Sequence, residues 1–420
     1  MVLYRVIKHK RYRTGWAQRF GKIARRSPEK QCIWLHAVSV GEVNAAKTIV
    51  KELQNRFPDF EIVISATTDT GFAQANALFG QKLQVFYFPF DISWMMQRAF
   101  ENIRPAMCLL MELEVWPNFV QIAEQLNVPV IIINGRISDR GFAGYKRVKP
   151  LAKTIFRKVT LVLAQTEEYA RRFRELGCPD EKVIVTGSIK YDTAQITDKV
   201  ESADTLAAQL HLNGKRLWVA GATGDNEEQI ILDVYSRLIM QKELSDLRLA
   251  IVPRKPERFD EVAGLIKEKG FSLIRYSELK KKATETTEKS SIINRQSSIV
   301  ILGDTMGDLR KFYSLASVIF VGRSLVPMGG SDMMEAAALG KCTIFGPYAF
   351  NFKQAIYALL AGNGAIMVKD KEELLKALQK CLLESAYADK IARNGQEVIR
   401  KNQGATQKSV EEILKLIRTT

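Results

Sequence analysis

Short runs of Val, Ile and Leu alternate with amphipathic stretches along nearly the whole chain, and that alternation restricts the fold more than any other feature. CIWLHAV (32–38) reads as a strand and VGEVNAAKTIVKELQNRF (40–57) as a helix closed by Pro58. EIVISAT, QVFYFPF, AMCLLME, VPVIIING and LVLAQT are further strands, with helical segments between most of them. Such near-continuous apolar strands belong to a parallel sheet covered by helices on both faces. This series runs to about Asp192. A polar stretch from Thr193 to Asp204 fits a linker, and a second series follows: RLWVAGA, LRLAIVP, FSLIRY, SIVILGD, SVIFVG and CTIFG. Two doubly wound α/β units are expected, with a cleft between them, and 420 residues are ample for two such cores.

Charge narrows the partners. The chain carries 62 Lys and Arg against 46 Asp and Glu, a formal charge of +16, which favours anionic partners. Nucleic acid is not expected among them, because the basic residues are dispersed and no helix-turn-helix, zinc-finger or RNP-type motif is present. Cys32, Cys108, Cys178, Cys342 and Cys381 are far apart in sequence and read as reduced thiols without metal spacing. With only His9, His36 and His211, a His-rich metal site is not expected either. No apolar run reaches the roughly 18–20 residues of a membrane span, and Met1 to Ile7 is too short for a signal peptide. The N-terminus mixes Tyr, Trp and Phe with many Lys and Arg, a composition suited to the surface of an anionic membrane. A peripheral protein on the cytoplasmic side is expected.

These readings divide the chain into a basic, aromatic membrane-proximal segment (1–30), an N-terminal domain (31–193), a linker (194–204), a C-terminal domain (205–403) and a C-terminal helix (404–420). Within the second domain, Lys280 to Ser298 is polar and aperiodic and reads as a mobile loop without chemistry.

In open α/β sheets ligands bind beyond the carboxyl ends of the strands, and six stretches there carry candidate chemistry. SVGE (39–42) places Glu42 at a helix start, where a carboxylate can take a proton from an attacking hydroxyl or simply complement the helix dipole. MELEVWPN (111–118) puts Glu112 and Glu114 one residue apart, on one face of an extended chain, either as functional groups or as partners of an arginine such as Arg136. TGSIKYD (186–192) offers Lys190 to a phosphate or a developing negative charge. VPRKPERF (252–259) offers Arg254, whose fork can bind a phosphate, held by the rigid turn at Pro256. GDTMGDL (303–309) is a strand followed by a glycine turn. Gly322 to Phe352 contains a Pro-Gly-Gly turn and a helix expected over Asp332 to Leu339. Backbone N–H groups at that helix start can seat a phosphate, and Glu335, about one turn in, can accept hydrogen bonds from a ribose diol. An ordinary β–turn–α unit is the alternative.

The order and spacing of these stretches resemble the Kdo transferases, which add 3-deoxy-D-manno-octulosonic acid (Kdo) to lipid A precursors. The resemblance runs from about Tyr12 through Gly404, on RYRTGWAQRFGK, LHAVSVGEV, MELEVWPN, NGRISDRGFAGY, GSIKYD, PRKPERF, GDTMGDL, GRSLVPMGG and FGPYAFNF. It implies a GT-B fold, two Rossmann-like doubly wound domains facing a central cleft, with the acceptor on the first and CMP-Kdo mainly on the second. It also implies Glu42 as the base, with Glu112 and Lys190 assisting at the transition state. The implied CMP contacts are Pro253 and Arg254, then Met306, Gly307 and Asp308, and finally Asp332, Met333, Met334 and Glu335. The implied reaction is an inverting Kdo transfer to a lipid A precursor in lipopolysaccharide biosynthesis, without cofactor or metal, at the cytoplasmic face of the inner membrane.

The chain departs from the family pattern where it matters for the donor. Positions that carry histidine in the family are Gly224, Lys255, Ser331 and Tyr348 here, Leu113 stands for the usual Thr, and the usual N-terminal hydrophobic anchor is missing. A different nucleotide-activated acidic sugar as donor, or an inactive nucleotide- or lipid-binding relative, are therefore the alternatives. Retention of Glu42, Glu112, Lys190, Arg254 and Glu335 favours an active enzyme.

Overall fold

The computed structural model describes residues 14–27, 29–197, 199–285 and 298–419. The membrane-proximal reading of residues 1–13 and the loop reading of residues 286–297 lie outside the described residues. The chain forms two compact units, one comprising residues up to Thr193 together with those from Asn402 onward, the other Ala194–Lys401.

The first unit holds β1 (Gln31–His36), β2 (Phe60–Ala66), β3 (Gln84–Tyr87), β4 (Met107–Met111), β5 (Val130–Gly135), β6 (Leu161–Ala164) and β7 (Val183–Val185). They are hydrogen-bonded in the order β3-β2-β1-β4-β5-β6-β7, and every pairing is parallel. Side chains alternate between the faces with a period of two. Cys32 and Trp34 enter a core with Phe86, Phe100 and Phe119, while Ile33 and Leu35 face Ile49, Val50 and Leu53 of the Val40–Arg56 helix. The order reverses between β1 and β4, so the turns that follow these two strands are neighbours at the carboxyl edge.

The C-terminal helix, Ala405–Thr419, closes the second of these faces. Ala405, Val410 and Ile413 join the core there, and the Asp192 carboxylate accepts from the Gly404 and Thr406 N–H groups at 2.7 and 2.6 Å. Residues 14–27 also pack onto this unit. Arg19 is 1% exposed, lies 4.3 Å over the Tyr87 ring and 3.3 Å from Asp69. Arg26 meets Glu61 at 2.6 Å. Composition counts both as surface cations, but paired guanidinium groups can be buried. Its exposed side chains include Trp16 and Phe20, with Trp94 stacked on Phe20 at 6.4 Å.

The second unit holds β8 (Leu217–Thr223), β9 (Arg248–Pro253), β10 (Ser272–Arg275), β11 (Ile299–Leu302), β12 (Val318–Val321), β13 (Cys342–Phe345) and β14 (Ile366–Met367). Their order is β10-β11-β9-β8-β12-β13-β14, again all parallel. Here the order reverses between β8 and β12. The expected loop at Lys280 begins too early: the helix Tyr276–Glu285 continues through it, and Lys280 reaches the Asp308 carboxylate at 3.0 Å. Lys, Ala, Thr and Glu can extend a helix without apolar periodicity. In this unit's core the Cys342 and Cys381 thiols, distant in sequence, lie 3.5 Å apart.

Candidate active site

The turn after β1 is built as a capping box. Ser39 caps the Val40–Arg56 helix, accepting from the Glu42 N–H at 3.4 Å. The Glu42 carboxylate turns back to accept from the Ser39 hydroxyl at 2.7 Å and the Val38 N–H at 2.9 Å. Only 9% of Glu42 is exposed. Burial raises its carboxyl above the ordinary range, against the Val38 and Ser39 hydrogen bonds, and the charge of Glu112 adds to the rise. Capping and function are thus not alternatives, because the cap is what fixes this carboxylate.

After β4 the chain does not stay extended. Strand β4 ends at Met111 and Glu112 adopts a left-handed backbone, φ 56°, costly for a residue with a Cβ. Its N–H bonds to Ile133 O at 3.0 Å and its carbonyl accepts from Arg136 N at 3.4 Å, which locks the turn. The one-face placement expected for Glu112 and Glu114 therefore fails. The turn instead directs Glu112 to Lys190, 3.4 Å away, and Lys190 rather than Arg136 is its ionic partner. Lys190 is positioned by Asn134, also left-handed at φ 56°, whose Oδ1 accepts from the Ile189 N–H at 3.2 Å. Gln165 donates to the Asn134 carbonyl at 2.9 Å. Neither Asn134 nor Gln165 carried a signal in the sequence beyond the NGR turn itself.

Glu114, to which the family resemblance assigned no role, completes the cluster. Trp116 Nε1 donates to it at 3.1 Å. Burial first, then the charge of Glu42, pushes its carboxyl from 4.5 up to about 7. A folded state that holds this proton up to about pH 7 gains stability that is fully present below about pH 4.5 and lost as pH rises through 7. Glu114→Gln removes that dependence. Relative to wild type the variant should gain up to about 3 kcal/mol between pH 5 and pH 8, read by urea unfolding at both values; a constant difference would contradict the raised carboxyl. His36, by contrast, is fully buried and pushed down to about 3 by burial, so it stays neutral and is no base.

The second unit gathers the remaining candidates at its own carboxyl edge. Arg254 is exposed just past β9, its N–H bonded to Thr223 O at 3.1 Å, and Pro253 is buried beside it. Burial and the Asp332 charge raise the Glu335 carboxyl, opposed by Arg310, 3.9 Å away, and Arg254. Met306 is 65% exposed and Gly307 sits at φ 89°. The Asp308 carboxylate is already engaged by Lys311 at 2.8 Å, Lys280 at 3.0 Å and Thr305 at 2.7 Å. Burial raises it, but these partners outweigh burial and hold it low.

The helix expected over Asp332 to Leu339 is shorter than that. It runs only over Met334–Ala338, because the Asp332 carboxylate takes the Met334 N–H at 2.9 Å and two glycines precede it at φ 91° and 80°. Glu335 consequently lies in the first turn, and the helix dipole contributes little. Met333 and Met334 have buried side chains, 0% and 3% exposed, so only their backbone can face a ligand.

Two buried acids that follow β8, Glu227 and Glu228, were not among the candidates read from the sequence. The Glu227 carboxylate accepts from the N–H groups of Gly224 at 3.2 Å, Ser324 at 2.7 Å, Leu325 at 2.8 Å and Arg323, tying the turn after β8 to the one after β12. Glu228 accepts from Thr223 Oγ1 at 2.7 Å and pairs with Arg258 at 2.6 Å. Two family histidine positions have other surroundings here: a Cβ on Gly224 would stand 2.6 Å from Met328 Sδ, near the end of a flexible side chain, and the Ser331 hydroxyl donates to Ala222 O at 3.2 Å.

Residues 14–193 match the family model for 3-deoxy-D-manno-octulosonic-acid transferase. The 3-deoxy-D-manno-octulosonic acid transferase of Haemophilus influenzae is 34% identical over 410 residues, covering 96% of this chain and 92% of that protein. That of Chlamydia muridarum is 26% identical, covering 99% and 93%. Among solved structures, S. aureus MnaA with UDP matches with a TM-score of 0.58 over 93% of this chain and 98% of that one, at 14% identity. Acinetobacter baumannii MurG matches with a TM-score of 0.54 over 92% and 99%, also at 14% identity. At such identities the likeness is one of fold, a two-domain α/β architecture of the GT-B type.

Proposed function

This chain belongs to the 3-deoxy-D-manno-octulosonic acid (Kdo) transferase family, and we propose that it moves Kdo from CMP-Kdo to a hydroxyl of a lipid A precursor with inversion at the anomeric carbon. The observation that carries this reading is the cluster of Glu42, Glu112 and Lys190 at the carboxyl edge of the first sheet, with Glu42 held by its own cap. Glu42 takes the proton as the acceptor oxygen attacks the anomeric carbon. The bond to the CMP phosphate breaks, and its electron pair leaves with CMP. Positive charge that develops on the sugar is met by carboxylates, and Lys190, kept in place by Glu112, meets negative charge. Arg254 takes the donor phosphate, Glu335 the ribose, and the Met306–Asp308 turn contributes backbone groups. CMP is a stable leaving group, so this route needs no metal.

The test is transfer itself: purified protein, CMP-Kdo and a tetraacyl lipid A precursor, with product mass recorded. A gain of one or more Kdo units is expected, and CMP binding without transfer at any enzyme level would sink the reading. The replacement of family histidines by Gly224 and Ser331 favours one second reading, a different nucleotide-activated acidic sugar as donor. Transfer from such a donor but not from CMP-Kdo would select it.

We place the protein peripherally at the cytoplasmic face of the inner membrane. Supporting this are the exposed rings of Trp16, Phe20 and Trp94 with exposed Lys22, Arg25 and Arg98 nearby in sequence, the mixture of amphipathic rings and cations that suits a membrane surface. No helix among the described residues is long and apolar enough to cross a membrane. Binding to anionic vesicles should weaken several-fold as salt is raised from about 0.05 to 0.5 M. Salt-independent binding would argue against this placement.

A further inference from the structure

The motif NGRISDRGFAGY enters the chemistry above only through Asn134. Its remaining residues, with Val148, build an open groove of about 540 Å³ on the first unit, lined by Ser138, Arg140, Gly141, Gly144, Tyr145 and Val148. We infer that this groove seats a phosphate monoester of the acceptor lipid, with an acyl chain lying over Val148 and Leu151. This inference rests on the transfer to a lipid acceptor proposed above.

Position is the first reason. The groove begins just beyond β5, at the carboxyl edge of the sheet that also carries Glu42, Glu112 and Lys190. One wall, Tyr145, links the two places. Its ring is fixed edge-on against Phe156 at 5.3 Å, and its phenol is held above the ordinary range by burial and then by the charge of Glu114. A ligand lying against Tyr145 is therefore on the side of the sheet's carboxyl edge that also carries the cluster.

Available surface is the second reason. The helix Asp139–Arg147 has no fully buried residue: Phe142 and Tyr145 pack against the core while still partly open, and Arg140, Gly144 and Arg147 are exposed. Gly144 lies on it with nothing within 4 Å of where a Cβ would stand. The groove is thus open at a point that any larger residue would fill.

Chemistry is the third. Lys146 meets Glu175 at 3.9 Å, but Arg136, Arg140, Arg147 and Lys149 have no carboxylate partner among the described residues. Of these, Arg140 lines the groove, while Arg147 and Lys149 flank its lining residue Val148 in sequence; an uncompensated guanidinium there calls for an anion, and its fork matches a phosphate's oxygens. Beside them Val148 and Leu151 are 49% and 61% exposed, apolar surface that neither a free anion nor a nucleotide phosphate would cover. A phosphate attached to hydrocarbon satisfies both.

Two variants test this, each assayed with the phosphorylated and the enzymatically dephosphorylated tetraacyl acceptor. Arg140→Ala should raise KM for the phosphorylated acceptor about 10-fold, the loss of a charge-assisted contact, and shrink the preference for it over the dephosphorylated form. Gly144→Leu adds a better helix former and blocks the groove, so KM should rise for both acceptors while CMP affinity and thermal stability hold. Unchanged KM in either variant, or equal effects of Arg140→Ala on both acceptors, would overturn the proposal. So would a loss of binding to anionic vesicles with acceptor KM intact, which would assign the groove to a bilayer surface. If wild type transfers nothing to any acceptor, equilibrium binding of the phosphorylated lipid in detergent micelles still decides. Tighter binding by wild type than by Arg140→Ala upholds the groove while the transfer reading fails, and equal binding removes both.

Discussion

Glu42→Gln should lower kcat for transfer by about 10²–10⁴-fold, the usual worth of a positioned general base, with CMP affinity unchanged. Gln is the informative replacement because its amide oxygen can still accept from the Val38 N–H, now 2.9 Å from the carboxylate, so the helix start survives. Glu42→Ala removes the base together with the returning half of the capping box and should add a stability loss of about 1 kcal/mol, which blurs the reading. Glu42 lies in the unit that ends at Thr193, whereas the proposed CMP contacts lie in the other, hence the separation of kcat from donor binding. Burial raises the Glu42 carboxyl, so kcat/KM in wild type should fall as pH drops through that raised value, and this acid limb should vanish in Glu42→Gln. Turnover like that of wild type in the variant would remove Glu42 from its assigned role.

The second large effect is on stability. Glu227→Ala should destabilise the second unit by about 3–5 kcal/mol, since one side chain satisfies four backbone N–H groups in a buried turn and its loss orphans them together. For a unit of roughly 200 residues that corresponds to a fall in Tm of about 10 °C, measurable by calorimetry as a shift of one transition and not the other. Glu227→Gln should recover only part, because its NH2 group would face a donor. A shift of under about 1 °C for Glu227→Ala would mean the turn after β12 has other support. Arg323, Ser324 and Leu325 lead into the two glycines before Met334, so reduced CMP affinity in the folded fraction is expected alongside.

Much of this was legible in the chain. The near-continuous apolar runs from Cys32 to Phe345 announced two parallel sheets, since a strand buried on both faces must be apolar throughout. Ser39 and Glu42 announced a helix start, because capping is local chemistry between residues three apart. The motif order was specific enough to indicate the family. What failed was longer in range. Glu112 and Glu114 were placed on one face because extended geometry was assumed, but a bond from the Glu112 N–H to Ile133 O on the neighbouring strand and one from Arg136 N–H to the Glu112 carbonyl bend the chain at Glu112. The helix expected from Asp332 lost its first two residues to a hydrogen bond from the Met334 N–H to the Asp332 carboxylate. Arg19 and Arg26 looked like surface cations until Tyr87, Asp69 and Glu61 arrived from other elements.

Periodicity, caps and turn residues act within a few positions and so are written in the sequence: two doubly wound sheets, the residues at their carboxyl ends, and the family. Which of those residues meet is set by strand order and by turns that hydrogen bonds from distant segments lock. Only the tertiary structure could therefore pair Lys190 with Glu112, bring Glu114 into the field of Glu42, bury Glu227 under four N–H groups, and leave Arg140 beside an empty groove. Burial and charge proximity decide a carboxylate's protonation, and neither exists until the chain has folded.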